Sequence, residues 1–341
     1  MTISRKIYKP HHPDIFMNDT PIAEVANHKH LGLNISKDST HHTHIDLITE
    51  KAYRRLNILR KFKFILNRKT LETIYLTYIR PLLEYADVIL DNNITYLVDK
   101  IEKVQMEAAR IVTVVTPLVS LNNLCLETGW NKLLKNRRKM RRLVYFNKMK
   151  NNISPQYLSD LVPDSLNSIH SHNTRNSSII PPIRTRTSLF TNYFLPATIR
   201  SWNLLRERIK SSTSVNSFTS NLKSNHPQKT PYYYIGKRLG QILHSRLRMH
   251  CSSLNQHLYS KNIVDSPLCQ CGAIETTEHY LLYCPLYNVH RQLFIEPFFD
   301  DPMISYDHYL FGSPEFTYER NVDIFLAVQS FIINSKRFNI N

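Results

Sequence analysis

Residues 269–284 read CQCGAIETTEHYLLYC, and this stretch decides how the C-terminal part of the chain folds. It supplies three thiols and one imidazole in the spacing Cys-x-Cys-x7-His-x4-Cys, from Cys269, Cys271, His279 and Cys284. Three Cys and one His form the ligand set of a closed, tetrahedral structural zinc site. The alternative is a buried His among buried, inert cysteines, but the density of ligands in so short a stretch favours a metal.

The rest of the cysteine content also favours a metal over disulfides. The chain has 5 Cys in 341 residues, which is too few for a disulfide framework, and nothing in it resembles a secretory leader. Cys125 and Cys251 stand alone and are predicted to be core thiols. Because four protein ligands complete the coordination shell, the sequence predicts a structural zinc ion and not a catalytic one.

The charge of the chain points to a polyanionic partner. The chain carries 44 Lys+Arg against 27 Asp+Glu, a net charge of +17, and residues 51–69 and 132–150 are basic segments without a single acid. A basic surface divided into helical stripes is typical of a phosphate-binding protein. The alternatives are a merely soluble basic protein or a nuclear-import run at residues 135–142. The residues of the second segment predicted to bind phosphate are Arg137, Arg138, Arg141 and Arg142.

The spacing of apolar residues predicts a mainly α protein. The chain has only 6 Gly and sustained 3.6-residue periods. Residues 1–35 are compatible with short β-strands, and Trp130 and Trp202 are predicted to be packing anchors. No apolar run approaches ~18 residues, so a membrane-spanning helix is excluded. Helices are predicted near residues 45–66, 71–86, 95–115, 131–150 and 196–209.

The sequence also predicts the N-cap, a kink and the apolar side of the first two helices. Thr70 is a plausible N-cap for the second helix, and Pro81 is expected to kink or divide it. The apolar side of the first helix is predicted to consist of Ile45, Ile48, Ala52, Leu56, Leu59 and Phe62.

Several segments, taken in order, resemble the region that follows the catalytic palm in reverse transcriptases of non-LTR retrotransposons. The upstream segments are NHKHLGLNIS (27–36), HIDLITEKAYRRLNILRK (44–61) and IRPLLEYADVIL (79–90). The downstream segments are IEKVQMEAARIV (101–112), LETGWNKLLKNRRKMR (126–141), FLPATIRSWNLL (194–205) and residues 243–287. The last segment ends in what resembles the family's C-terminal cysteine–histidine knuckle, so the resemblance runs from about residue 25 to residue 287.

The resemblance and the helical pattern together imply five successive domains. We expect a short β remnant of the palm, a helical thumb-like domain, a basic helical connector, a small zinc-knuckle domain and an acidic tail with a terminal helix. Their predicted ranges are 1–36, 37–116, 117–231, 232–311 and 312–341.

The resemblance does not extend to the polymerase active site. Enzymes of this kind hold two metal ions on palm aspartates, the last two of which lie in a Tyr-x-Asp-Asp turn. Tyr85 and Asp87 begin like that turn, but Val88 stands in place of the second aspartate. The segment also lies downstream of the His-Leu-Gly element, whereas the family's turn lies upstream. We therefore expect a fragment of an RNA-directed DNA polymerase that is inactive alone, with no catalytic residue and no catalytic Mg²⁺.

The resemblance assigns two further groups of residues to nucleic acid. His30, Leu31 and Gly32 resemble a short β-element beside the primer end, where glycine permits close approach of the backbone; the alternative is an ordinary tight turn. The second group lies opposite the apolar side of the thumb helix and is expected to follow the backbone of an A-form template–primer duplex. It consists of Lys51, Arg54 and Arg55.

The sequence thus predicts a non-catalytic C-terminal fragment of a non-LTR reverse transcriptase that binds RNA and DNA and holds a structural zinc ion. It is expected inside the cell, in the nucleus, with neither a membrane nor a small-molecule partner. The alternative from another class is a free-standing zinc-dependent DNA-binding or chromatin-associated regulatory protein. Intact or decayed palm motifs in the genomic sequence upstream of Met1 would favour the first prediction.

Overall fold

In the computed structural model of the protein, the described residues are 1, 3, 13–90, 94–130, 134–166, 179–223 and 230–338. The chain is 59% helix and 5% strand, which confirms the predicted mainly α fold class. It forms two compact units, each built from three separate segments. The first unit is Met1–Arg54, Arg80–Val104 and Leu133–His226, and the second is Arg55–Ile79, Gln105–Lys132 and Pro227–Asn341. The five-domain division follows the order of the chain and stays a prediction.

The strands form two short antiparallel hairpins in the first unit. They are β1 (Phe16–Met17), β2 (Thr20–Pro21), β3 (Asn27–His30) and β4 (Leu33–Ser36). β1 pairs with β2, and β3 pairs with β4. Both two-residue turns have positive φ throughout, 48° and 59° at Asn18 and Asp19 and 45° and 84° at Leu31 and Gly32. Two-residue hairpin loops favour this conformation because its twist matches that of the strands.

The helices follow in chain order, with 3₁₀ and π turns between some of them. They are α1 (His42–Lys61), α2 (Arg68–Ile74), α3 (Arg80–Glu84), α4 (Asp87–Leu90), α5 (Thr95–Thr113), α6 (Leu121–Thr128), α7 (Leu134–Lys150), α8 (Gln156–Ser159), α9 (Ser188–Thr191), α10 (Phe194–Asn203), α11 (Glu207–Lys210), α12 (Val215–Lys223), α13 (Arg238–Arg248), α14 (Asn255–Tyr259), α15 (Asn288–Phe294), α16 (Tyr306–Phe311) and α17 (Tyr318–Asn334). The π turns are Tyr75–Ile79 and His279–Tyr283, and the 3₁₀ turns are Pro231–Tyr234, Pro285–Tyr287 and Glu296–Phe298. Among the described helices, none combines the length and apolarity needed to cross a bilayer.

A cluster of aromatic and aliphatic side chains on α7, α10 and α12 forms a core in the first unit. Trp202 is fully buried, with ring centroids 5.5 Å from Phe218 and 5.3 Å from Phe146. This confirms Trp202 as a packing anchor. The buried aliphatic members of the same cluster are Leu143, Ile180 and Ile199.

In the second unit, α13 packs against α17. Gly240 allows this contact, because a Cβ on it would clash with the Oε1 atom of Gln329. The buried members of this core include Leu243, Leu247, Tyr280, Leu281, Ile324, Val328, Phe331 and Ile332. Elsewhere in the unit, the buried Trp130 stacks on Tyr75 with centroids 4.5 Å apart, which confirms Trp130 as a second anchor.

The ends of several helices differ from the sequence prediction. Helix α2 begins at Arg68, because the Oδ1 atom of Asn67, and not a side-chain atom of Thr70, caps it by accepting the Thr70 N–H at 2.8 Å. The predicted second helix is interrupted by a π turn before Pro81, which has no N–H of its own to donate. Phe62 is 43% exposed and does not join the core, because α1 ends at Lys61.

Two other predicted helices also have different ends. α10 begins at Phe194 and ends at Asn203, so it covers only part of the predicted 196–209. α7 is described from Leu134, and the first three residues of its predicted range, 131–133, lie outside the described residues. α5 lies within two residues of its predicted range of 95–115.

Candidate functional site

Cys269, Cys271, His279 and Cys284, here called the Cys/His cluster, lie together in the second unit, with their ligand atoms within 4.8 Å of one another. The Sγ atom of Cys284 lies 3.7 Å from that of Cys269 and 3.9 Å from that of Cys271. The Sγ atom of Cys271 lies 3.2 Å from the Nε2 atom of His279. Tetrahedral zinc with Zn–S bonds of about 2.3 Å requires S···S separations of about 3.8 Å. The cluster therefore has the donor set and the dimensions to hold a metal ion such as zinc.

A tight turn brings the first two cysteines to the site. Leu268 and Ile274 form an antiparallel bridge, the Cys269 N–H donates to the Ala273 carbonyl at 2.7 Å, and the Gly272 N–H donates to the Cys269 carbonyl at 2.9 Å. Gly272 has φ of +92°, and a Cβ on it would meet nothing within 4 Å. The turn therefore needs glycine for its backbone conformation and not for space.

A π turn, His279–Tyr283, brings the other two ligands together. The Cys284 N–H donates to the His279 carbonyl at 2.7 Å, and the His279 N–H donates to the Thr276 hydroxyl at 3.0 Å. One side chain fixes the far end of the turn, since Arg291 donates from Nη2 to the Cys284 carbonyl at 2.7 Å. Such π turns are frequent at functional sites.

The surroundings of the thiols disfavour a thiolate at the buried position unless a cation accompanies it. Cys284 is fully buried, and burial raises the pKa of its thiol to about 12. The backbone N–H of Ala273 lowers the pKa of the half-buried Cys271 thiol. A bound cation reverses the penalty at a buried thiol, because a coordinating thiol loses its proton outright.

The Cys/His cluster is joined to the core of the second unit. Tyr280, between two of the ligands, is fully buried, and its hydroxyl lies 2.6 Å from that of Ser335 at the end of α17. Glu275, which lies between Cys271 and His279 in the sequence, accepts from Arg337 at 2.7 and 2.8 Å. Order at the cluster is therefore coupled to order at the C-terminal helix.

His30, Leu31 and Gly32 lie at the tip of the β3–β4 hairpin in the first unit. Leu31 is exposed, and its carbonyl accepts a hydrogen bond from the Tyr85 hydroxyl. The Tyr85 ring lies 3.4 Å from the position that a Cβ on Gly32 would occupy. Among the described residues, Gly32 therefore allows the Tyr85 ring to approach the hairpin backbone closely.

The three basic residues predicted on α1 have different surroundings. Lys51 and Arg54 are exposed, and Arg54 forms an i,i+4 ion pair with Glu50. Arg55 is half-buried, stacks 3.8 Å from the centroid of the Tyr78 ring and donates to the Tyr78 carbonyl. Exposed i,i+4 pairs are weak, so Lys51 and Arg54 remain accessible to an external anion.

The four arginines of α7 meet carboxylates or protein interior. Arg138 and Arg142 are buried. Arg137 donates to Glu84 at 2.6 Å, and Arg141 donates to both Glu84 and Asp87. Burial opposes ionisation of Glu84, but Arg137, Arg141 and Arg80 together lower its pKa. These arginines therefore hold α7 to the segment that carries the carboxylates, and they do not form an exposed stripe.

A second charged network, in the second unit, was not anticipated from the sequence. The carboxylate of Glu127 is fully buried and accepts from Arg68 at 2.6 Å, from Arg248 at 2.7 and 2.9 Å and from Ser245 at 2.7 Å. Burial would raise the pKa of Glu127, but Arg248 and Arg68 outweigh it and lower the pKa to about 2. No sequence signal links these residues, because Glu127 is 59 positions from one arginine and 121 from the other.

The two remaining cysteines lie where they were predicted. Cys125 and Cys251 are buried free thiols, which confirms them as core residues outside the cluster. Comparison with protein-family models, with curated proteins and with solved structures finds no match to the chain.

Proposed function

We propose that the chain is the C-terminal part of a non-LTR retrotransposon reverse transcriptase, which binds nucleic acid and holds one structural zinc ion. The Cys/His cluster carries this proposal. Its four ligand atoms lie within 4.8 Å of one another, at the end of the segment 243–287 that resembles the family's knuckle. The order of the other resembling segments along the chain supports the same assignment.

The proposed zinc ion is structural because four protein ligands fill a tetrahedral shell and leave no position for a substrate or an activated water. Two of the ligands, Cys269 and Cys284, are buried, and Tyr280 and Leu281 between the ligands belong to the hydrophobic core. A metal at this point would stabilise the fold of the unit around it.

RNA and DNA are the proposed partners, and the nucleus is the proposed location. A net charge of +17 favours any phosphate backbone, and A-form duplexes are bound mainly through phosphate and 2′-hydroxyl contacts. The accessible charges that support the proposal lie in and beside residues 51–69, since the α7 arginines already contact carboxylates or protein interior. Lys51 and Arg54 on α1 belong to this accessible set.

We do not expect polymerase activity from these 341 residues alone. Asp87, the closest approach to a palm aspartate in the sequence, is 2% exposed, and its carboxylate accepts from Arg141. A carboxylate used in this way is a structural partner and not a metal ligand. A primer-extension assay on an RNA template should show no incorporation. Template-dependent incorporation that survives Asp87→Asn would contradict the expected inactivity, and incorporation that Asp87→Asn abolishes would contradict the structural role of Asp87.

Elemental analysis tests the zinc ion. Protein refolded with zinc should contain one zinc per chain, and Cys271→Ser or His279→Ala should lose it because each removes one of four ligands. The matched controls Cys125→Ser and Cys251→Ser remove buried thiols outside the cluster and should keep it. A zinc content near zero in the wild type, or equal loss from the controls, would overturn the site.

The salt dependence of binding tests the nucleic-acid partner. With about five phosphates contacted, the logarithm of the affinity should fall with the logarithm of salt concentration with a slope of about −4.5 for duplex DNA and about −3.5 for single strands. Fluorescence anisotropy over a salt series measures this slope. A slope near zero would remove phosphate binding from the proposed function.

A further inference from the structure

The turn between α1 and α2 exposes aromatic side chains among lysines. This aromatic turn, residues 62–67, reads FKFILN and belongs wholly to the second unit. Phe62 is 43% exposed, Phe64 51% and Ile65 74%. Phenylalanine normally lies in the core, so two half-exposed rings and one exposed aliphatic side chain in six residues mark a surface that has a partner.

The turn is held rigidly by backbone hydrogen bonds and by one arginine. The Ile65 and Leu66 N–H groups both donate to the Phe62 carbonyl at 3.0 Å. From α13, Arg238 donates through Nε to the Lys63 carbonyl at 2.8 Å and through Nη2 to the Val112 carbonyl at 2.8 Å. A rigid backbone lets exposed rings bind a ligand with little loss of conformational entropy.

The charges around these rings are positive. Lys61 and Lys69 are exposed on either side of the turn, and the Nζ atom of Lys63 lies 4.8 Å from the centroid of the Phe64 ring. In the segment 55–79 the only acid is Glu72, which is buried. Nearby on the chain, Arg60 is paired with Glu107 at 2.6 Å and contributes less to the field.

We propose that the aromatic turn binds single-stranded nucleic acid, with bases stacked on Phe62 and Phe64 and phosphates contacted by Lys61, Lys63 and Lys69. Exposed aromatic rings in a basic groove or ridge are the recurrent means of binding single strands without sequence preference. This inference rests on the proposed nucleic-acid binding and adds to it a preference for unpaired bases.

Two features favour a single strand over the other polyanionic surfaces. In a duplex the base faces are already stacked on one another, so exposed rings would gain nothing there beyond phosphate contacts. A membrane surface is usually bound by a long amphipathic helix with one continuous apolar face. Here Phe62 and Phe64 alternate with Lys61 and Lys63, which matches the alternation of base and phosphate along a strand.

The test uses the full, zinc-loaded chain, a labelled oligothymidylate and a duplex of the same length. Phe64→Ala and Phe62→Ala should each weaken single-strand binding by about 5- to 150-fold, the range expected for loss of one stacked base, and should leave duplex binding unchanged. Phe64→Tyr should retain binding, because tyrosine keeps the stacking surface. Phe299→Ala, which removes another exposed ring of the second unit (46% exposed), is the matched control and should have no effect.

The outcomes separate this inference from the proposed function. Wild-type affinity in both alanine variants, with salt-dependent binding intact, would overturn the stacking site and leave phosphate binding standing. A wild-type chain that binds neither oligonucleotide would overturn both. If Phe64→Ala abolishes binding to phosphatidylserine vesicles but not to the oligothymidylate, the turn faces a membrane and the inference is wrong.

Discussion

The Cys/His cluster of the second unit and helix α7 of the first unit both gather groups that repel one another when ionised, yet they differ in what surrounds those groups. Around the cluster, burial raises the pKa of Cys284, and the four ligand atoms face one another. Around α7, the carboxylates of Glu84 and Asp87 accept from Arg137 and Arg141. The first group has the donor set and the spacing to hold a metal ion, whereas the second is neutralised by its own chain.

This difference shows that a dense run of like groups in a sequence has two opposite outcomes. Where the fold supplies no counter-charge, burial makes the run a site for an external ion. Where the fold supplies counter-charges, the run becomes a structural contact, and its residues are poorly available to a partner. Four changes test the distinction, and the loss of stability expected from each is smaller than that from the one before.

Removal of zinc should have the largest effect. Structural zinc in small domains contributes about 10–16 kcal/mol of apparent binding free energy, most of which appears as folding free energy. Chelation should therefore abolish hydrogen-exchange protection at residues 268–286 and weaken it at the end of α17, where Ser335 contacts Tyr280. Hydrogen exchange read by mass spectrometry measures both regions. The core of the first unit around Trp202 should keep its protection, and unchanged exchange at 268–286 would show that the cluster folds without an ion.

Glu127→Gln should have the next largest effect, because it leaves Arg68 and Arg248 buried without a carboxylate. Breaking a buried ion pair from one side costs about 3–5 kcal/mol, and urea unfolding at neutral pH measures this loss. The folded-state pKa of about 2 lies below the unfolded value, so the carboxylate stabilises the fold above the unfolded pKa. The difference between wild type and variant should therefore shrink as the pH falls from about 4.3 towards 2.

A half-exposed pair of the same unit provides the control for Glu127→Gln. Glu107→Gln removes the carboxylate that pairs with Arg60 at 2.6 Å and with Arg110 at 3.7 Å, and all three side chains are partly exposed. This variant should lower the free energy of unfolding by no more than about 1 kcal/mol. Equal losses of unfolding free energy in Glu127→Gln and Glu107→Gln would mean that burial does not determine how much these ion pairs contribute to stability.

The features that were predictable from sequence are those whose residues are close together in the chain. The cluster spans sixteen residues, so its spacing was informative, and Trp202 lay on a helical stripe of apolar residues. Glu84 and Arg141 are 57 positions apart, and only the packing of α7 brings them together. The N-cap was missed because Asn67 and Thr70 both suit that role and lie three residues apart, so composition alone could not choose between them.

Glu84→Gln should have a moderate effect on the first unit. It removes the carboxylate that pairs with Arg137 and Arg80, and it leaves Arg141 with Asp87 alone. Because these surroundings are only partly buried, the free energy of unfolding should fall by about 1–3 kcal/mol. Glu50→Gln, which breaks the exposed pair with Arg54, should cost less than about 0.5 kcal/mol. Urea unfolding followed by Trp202 fluorescence, in a Trp130→Phe background that removes the signal of the second unit, measures both. A stable Glu84→Gln variant that binds nucleic acid more tightly would instead make α7 a binding surface held in check by its carboxylate.

Lys61→Gln should have the smallest effect on stability, within about 0.5 kcal/mol, because the side chain is exposed on the last residue of α1. It should nevertheless make the salt slope of nucleic-acid binding shallower by about 0.7–0.9, the contribution of one phosphate contact. Arg137→Gln should lower the stability of the first unit and leave the salt slope unchanged, because the guanidinium of Arg137 already donates to Glu84. Salt-series anisotropy and urea unfolding on the same two variants give both numbers. The contrary result is that Arg137→Gln flattens the salt slope as much as Lys61→Gln does. That result would mean that Arg137 contacts phosphate in spite of its hydrogen bond to Glu84, and that both basic segments bind nucleic acid.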